Sequence, residues 1–468
     1  MFRTAESGTM RPHSPPAVWA LVVALALPAP ASPQDSPVAR ALHQSTLDNG
    51  LQMFVVENHA VPLAMVLVAV RGGAMIQEPG EEGLAHLYEH MLFRTYDGDA
   101  SAFGQAVGEL EGAYNGSTSH EVVTYWVMVP SERTDKAIEL LGKLLTRARF
   151  GRNDLPPERR VVLDELSRDR SDPEQSLEHQ INQTLWGSAW HRHNVAGDSA
   201  SLERITLERL RQTFERYYVP NNAAVIVTGD VAPGEVFAQV ERRFGEWQPG
   251  ADPFAGPLAE PFPRLSGPRS EVVGEDNVLD VTVTIALHGP SLHDDTASTY
   301  AADALIAVLN EPSSRFQRHL VGTGPFQWVR ADYRTLRDAG PITFRGKSTS
   351  ERAQDAVRAL LSALEHAEVL LDVSDEDLLI ARKARQLNIA RTLEAGATLA
   401  PLLAFWWASA GIDYYVTYDE RLNAQTLADL RRFAERYVLG QPKVVGVMGP
   451  PAVMARVGEW LRSAQVQQ

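Results

Sequence analysis

Cysteine is absent from the 468 residues, so there is no disulfide framework and no lipidated cysteine behind an N-terminal leader. Basic residues are in deficit, with 44 Lys and Arg against 59 Asp and Glu and a formal net charge of −15. That balance, with no basic run to offset it, argues against nucleic acid as a partner. A long apolar span is missing too. The block AVWALVVALAL (Ala17 to Leu27) follows Arg3 and Arg11 and is too short to cross a bilayer stably, and Ala29-Pro30-Ala31 behind it offers small residues for cleavage. Residues 1–35 therefore read as a signal peptide and N-terminal tail, with Met10 as an alternative start and a mature chain beginning near Ser32. The expectation is a secreted, periplasmic protein with no transmembrane helix once the leader is removed.

What the chain does have is HLYEH at His86 to His90. Two histidines four apart lie on one helical face, one turn above the other, and both imidazoles can reach a single tetrahedral ion. Glu89, on the same stretch, is placed to take a proton from water whose pKa the metal has lowered. The order HxxEH is the inverse of HExxH. Upstream, LDNGLQMFVVEN (Leu47 to Asn58) and PLAMVLVAVRGG (Pro62 to Gly73) read as strands, the second nearly continuous in apolar residues as a buried strand should be. Downstream, Pro156 and Pro157 mark a helix start, Val161, Val162 and Leu166 give it an apolar stripe, and Glu158 and Glu165 share another face. A carboxylate there, Glu165, supplies a third ligand. Asp164 points about 100° away around the helix and is the weaker candidate.

The chain also repeats itself. TLERLRQTFERY (Thr206 to Tyr217) and TLADLRRFAERY (Thr426 to Tyr437) share TLxxLRxxxERY, and each runs into a strand, AAVIVTGD and KVVGVMGP. The Pro/Gly-rich stretch ADPFAGPLAEPFPRLSGP reads as an extended linker over 251–268, between a zinc-bearing domain at 36–250 and a second domain at 269–468. Each half mixes strand and helix patterns, an α+β class. After the strand VTVTIALHGP (Val281 to Pro290), the helix STYAADALIAVLN stands where HLYEH would repeat, and Ala302 to Leu309 read as core without metal-binding chemistry.

These segments resemble the M16 metallopeptidases. GEEGLAHLYEHMLF (Gly80 to Phe93) is similar to the family's zinc helix, GAYNGSTSHEVVTYW (Gly112 to Trp126) to its NAxT strand, and PPERRVVLDEL (Pro156 to Leu166) to its third-ligand helix. HRHNVAGDSASLERITLERL and YYVPNNAAVIVTGDV resemble the segment that closes the first domain. The resemblance implies two duplicated halves facing one another as a clamshell of the LuxS/MPP-like metallohydrolase type. It implies one Zn2+ per chain on the first half, held by His86, His90 and Glu165, with Glu89 as general base. Asn115 is either a residue of an edge strand that pairs with extended peptide substrate or a simple turn residue. Glu158 either orients a ligand histidine or is a solvated helix-start carboxylate. His120, His191 and His193 read as surface or loop-packing residues.

One departure bears on function. Self-sufficient members carry SRL...LR followed by Tyr in the second domain, an Arg/Tyr pair that holds substrate near zinc. Here the segment is SSRFQRHLVGTGPFQWV: Arg315 aligns with the SRL arginine, but Val321 and Trp328 stand at the pair's positions. The chain resembles the HxxEH-bearing subunit of bacterial heterodimeric peptidases, whose homologous partner supplies the pair. The expected function is that of a zinc endopeptidase subunit acting on unfolded peptides; the alternative is a non-proteolytic peptide-binding or assembly subunit.

Overall fold

The computed structural model describes residues 37–96, 101–256, 263–394 and 399–465; the leader segment and the middle of the Pro/Gly-rich linker lie outside them. The first sheet contains β1 (Leu42–Thr46), β2 (Gln52–Glu57), β3 (Leu63–Arg71), β4 (Ala113–Thr118), β5 (Val122–Pro130) and β6 (Ala223–Gly229), in the spatial order β1-β2-β6-β3-β5-β4. The second contains β7 (Arg269–Gly274), β8 (Val281–Ser291), β9 (Phe326–Tyr333), β10 (Ala339–Ser348) and β11 (Val444–Gly449), in the order β7-β11-β8-β10-β9. With β1 set aside the two orders coincide, down to the parallel pairing of β2 with β6 and of β7 with β11. The fold is α+β, built from two copies of one mixed-sheet unit.

The helices that matter for function are α1 (Leu84–Arg94), α2 (Leu155–Ser171), α3 (Pro173–Trp186) and α4 (Leu207–Tyr217) in the first half. Their counterparts in the second half are α5 (Thr296–Asn310), α6 (Asp375–Glu394), α7 (Leu399–Ser409) and α8 (Leu427–Tyr437). The repeated TLxxLRxxxERY motif is α4 and α8, each capped by the hydroxyl of its threonine, Thr206 or Thr426, and each leading into the strand that follows. Strand β3 explains its own apolar run. Val66, Val68 and Val70 face the helices of the first half, while Met65, Leu67 and Ala69 face Leu403, Ala404 and Trp407 of α7, which arrives from the second half.

The exchange is reciprocal. Leu177, Ile181 and Trp186 of α3 cover Ala286, Val444 and Met448 of the second sheet. Gly446 permits that approach, since a Cβ there would lie 2.1 Å from Ile181 Cδ1. Each half thus lends one helix, α7 or α3, to the other's sheet. No helix among the described residues is long and apolar enough to cross a membrane.

Candidate metal centre

Helix α1 begins at Gly83, whose φ of 89° lies in the left-handed region. A side chain there would meet Leu202 Cδ2 at 2.9 Å and Gly197 Cα at 3.0 Å. The first amides of the helix are satisfied from outside it: Gln77 Oε1 accepts from the Gly83 and Ala85 N–H groups at 3.0 and 3.3 Å. Gln77 Nε2 donates to the carbonyls of His191 and Asn194 at 2.6 and 3.1 Å, clamping the helix start to that loop. Leu84, Leu87, Tyr88, Met91 and Leu92 fill the core. His86 and His90 are thereby directed toward α2, with ring centroids 4.9 Å apart.

From α2, Glu165 Oε2 stands 3.6 Å from His86 Nε2 and 3.4 Å from His90 Nε2. One ligand atom from each of the three residues lies within 4.8 Å of the others. Zinc bonds of about 2.0–2.1 Å at tetrahedral angles separate ligand atoms by about 3.4 Å, so the two nitrogens and the oxygen stand near zinc spacing and the donor set fits the ion. Burial and the neighbouring His90 push the His86 imidazole down to about 4, which keeps it in the neutral form that ligates. Burial lowers His90 as well, but Glu158, Glu165 and Glu89 outweigh it and raise that imidazole.

Glu158, in the first turn of α2, lies 3.4 Å from His90 Nδ1 and accepts from Arg94 Nη1 at 2.6 Å. Burial pushes its carboxyl up, and the bonds to His90 and Arg94 more than reverse this, leaving it below the usual carboxylate range. It is not a solvated helix-start carboxylate. Glu89 is 7% exposed; its Oε2 accepts from the Thr118 hydroxyl at 2.6 Å. Burial raises its pKa, against the Thr118 bond and the nearby His90. Below it passes Gly116, where a Cβ would stand 2.4 Å from Glu89 Oε1. Asn115 lies in edge strand β4 opposite Trp126, not in a turn.

Residues 53–198 match the sequence profile of insulinase, peptidase family M16, and residues 204–385 match that of the peptidase M16 inactive domain. The chain belongs to the M16 peptidase family. It is 28% identical over 409 residues to the zinc protease PqqE of Helicobacter pylori, covering 84% of this chain and 90% of that one. An uncharacterised zinc protease of Mycobacterium bovis is 25% identical over 437 residues, 92% of this chain and 98% of the relative. The crystal structure of a protease from Helicobacter pylori superposes with a TM-score of 0.77 at 24% identity, over 87% of this chain and 99% of that one. The periplasmic protease PqqL of Escherichia coli gives a TM-score of 0.71 at 19% identity, over 89% of this chain and 48% of its own.

Within this M16 fold a cavity of about 600 Å³ runs between α2 and α3 on one wall and the face of β9 and β10 on the other, and its lining includes Asp169, one helical turn along α2 from Glu165. Trp328 lies in that wall, 41% exposed, while Val321 packs against the second core. His120, His191 and His193 take packing roles and are not grouped with the three metal-facing residues. His193 stacks on Trp186 at 3.7 Å, and His120 Nδ1 lies 3.3 Å from Arg334 Nη1. Burial and Arg334 push His120 down to about 3.

Two features differ from or add to the sequence reading. Helix α5 occupies the place of α1 after β8 and is mostly core, but Asp303 breaks the expected run of core from Ala302 to Leu309. It accepts from the Tyr418 hydroxyl and lines a second cavity with Arg385 and Trp406. Burial raises this carboxyl to about 7. Its signal was the one carboxylate in STYAADALIAVLN. Thr118 and Gly116 had no local signal, because their role depends on where β4 crosses α1.

Proposed function

We propose that the chain is the zinc-bearing subunit of an endopeptidase that hydrolyses unfolded peptides. The observation that carries this reading is the convergence of His86 Nε2, His90 Nε2 and Glu165 Oε2 beside a carboxylate, Glu89, held by Thr118. His86, His90 and Glu165 hold one Zn2+, and Glu158 orients His90 through Nδ1. Zinc supplies a Lewis acid that brings the pKa of a water toward 7 and polarises a carbonyl. Glu89 takes a proton from the attacking water and delivers it to the leaving amine as the peptide C–N bond breaks. Its burial raises its basicity, and the Thr118 bond at Oε2 leaves Oε1 for the proton, above Gly116 where no side chain intervenes.

Among the described residues no strand pairs with the outer edge of β4 around Asn115, and that edge suits extended peptide, which would add a strand there and run on into the cavity. Val321 and Trp328, which offer neither an arginine nor a tyrosine, support a homologous partner subunit as the source of the Arg/Tyr pair. Residues 1–35 direct export to the periplasm, residues 36–250 form the zinc-bearing domain, 251–268 the linker and 269–468 the second domain.

The test is chelator-reversible cleavage of a mixture of unstructured peptides, read by mass spectrometry, with the zinc-loaded mature chain and its Glu89→Gln variant side by side, each with and without a homologous Arg/Tyr subunit. Zinc-dependent products that appear with Glu89 in place, most of all with the Arg/Tyr subunit present, and not with Glu89→Gln support the reading. Peptide binding without products in any mixture supports the non-proteolytic alternative.

A further inference from the structure

The wall of the 600 Å³ cavity opposite α2 and α3 is a sheet face, and its charge pattern is unusual. Strands β9 and β10 pair so that Arg330 stands directly opposite Arg345, with Trp328 opposite Lys347 on one side and Asp332 opposite Thr343 on the other. Side chains at directly opposed positions on one sheet face have Cβ atoms about 4.5–5.5 Å apart, and like charges there repel. Arg345 is relieved by Glu174 of α3, whose Oε2 is 3.2 Å from Nη2. Arg330 is exposed to the cavity and, among the described residues, has no carboxylate in ion-pair range. Asp332, two residues along the same face, and Asp169 and Glu178 from the facing helices line the cavity without reaching it.

Two guanidiniums are therefore held side by side, and among the described residues only Arg345 has a carboxylate, Glu174, in ion-pair range. The sheet fixes both backbones, so the repulsion is not removed by moving the strands apart; it is removed by an anion. A carboxylate takes a guanidinium through two parallel hydrogen bonds, a geometry that a planar fork supplies and an ammonium does not. Asp169, one helical turn along α2 from Glu165 and on the same helix face, lines the cavity. A peptide whose scissile bond lies at the metal centre would extend into it.

We propose that Arg330, backed by Arg345, is a specificity-determining residue that receives a carboxylate of the peptide, either an Asp or Glu side chain or the C-terminal carboxylate. This rests on the endopeptidase reading for the identity of the ligand and adds a charge preference to it. Arg330 acts on binding, at a distance from the bond that breaks, and is separate from the missing pair at Val321 and Trp328.

The experiment uses the full mature chain, zinc-loaded and carrying Glu89→Gln so that bound peptide persists. Fluorescence anisotropy gives Kd for one unstructured dodecapeptide in versions with Glu or Gln swept through each position, and with a free or an amidated C-terminus. The quantity read is the ratio of Kd for the neutral peptide to that for its anionic counterpart. At one position, or at the C-terminus, that ratio is at least tenfold and shrinks with added salt. It falls to near one when Arg330→Gln is added, and Arg330→Lys keeps a part of it, which excludes misfolding as the cause. The arm that shows the preference tells a side-chain carboxylate from a terminal one. A ratio near one throughout, or a preference that survives Arg330→Gln, overturns the proposal. Neutral peptides that bind, and are cleaved by the Glu89 protein with no charge preference, leave the endopeptidase reading standing alone; failure of every peptide to bind, with and without a homologous Arg/Tyr subunit, overturns both.

Discussion

The Thr118 hydroxyl donates to Glu89 Oε2 at 2.6 Å, joining the end of edge strand β4 to the helix that carries both histidines. A hydrogen bond to a charged acceptor contributes about 1.5–3 kcal/mol, and here it opposes the burial that raises Glu89. Among the described residues Thr118 is the side-chain donor to that oxygen, and Thr118→Val removes it while keeping the side-chain shape. Glu89 works deprotonated, so a higher pKa delays deprotonation as pH rises. The acid limb of the pH–rate profile moves to higher pH, and at a fixed pH on that limb kcat falls by about tenfold. Zinc content stays at the wild-type level. A pH–rate profile beside metal analysis checks both, and an unmoved acid limb would show that Glu89 is not the titrating base.

The metal site and the base separate by mutation. Glu165 contributes an oxygen 3.4–3.6 Å from both histidine nitrogens, whereas Glu89 is turned away toward Thr118. Glu165→Gln should lower zinc occupancy, and Glu89→Gln should retain zinc while turnover drops by about 10²–10⁴-fold. Metal analysis of the two purified variants decides this. Full zinc in Glu165→Gln would remove Glu165 from the ligand set.

Glu121 carries a pH dependence of stability. Its Oε1 accepts from the Arg337 N–H at 2.7 Å, a bond from the first half to the second, and the Ser409 hydroxyl stands close to the same buried carboxyl. Burial pushes the carboxyl from 4.5 up to about 7. A folded-state pKa raised above the unfolded value means that the folded protein holds this proton more tightly. The corresponding stabilisation, on the order of 3 kcal/mol, is present below pH 4.5 and is lost as pH rises through about 7. Glu121→Gln cannot ionise, so its melting temperature relative to wild type should rise between pH 5 and pH 8. Thermal unfolding of the two proteins across that interval measures it; parallel curves would mean that Glu121 does not titrate there.

The strands, the helix of HLYEH and the duplicated ERY helices were legible because local pattern decides them: an apolar run for a strand buried on both faces, spacing of four for two side chains on one helical face. The partner of the second face was not legible. LAPLLAFWWAS reads as an apolar helix, but nothing in it says that Trp407 lies against β3 of the other half, beneath the Arg71 guanidinium at 4.2 Å and donating to Gln52. Asp303 was hidden for a related reason, since an otherwise apolar helix gives no sign that one of its turns faces a cavity and Tyr418. At the candidate metal centre the pairing of His86 with His90 follows from helical periodicity and Glu165 from helix spacing together with the family resemblance, while Thr118 and Gly116 depend on the crossing of a strand and a helix distant in sequence.

The last prediction concerns Val321 and Trp328. Val321 packs against the second core and offers no hydrogen bond; Trp328, on β9 in the cavity wall, offers only an indole N–H. Neither supplies the charged and phenolic contacts that would hold a scissile peptide within reach of water, and positioning contributes as much to rate as the metal does. The isolated chain should therefore bind zinc yet cleave a quenched fluorescent peptide slowly. A homologous subunit with Arg and Tyr at the corresponding positions should raise the rate by about 10²-fold or more, and the gain should vanish with Glu89→Gln in this chain. Fast cleavage by the rigorously monomeric protein would sink the divided site, because the two halves of this chain would then position substrate unaided.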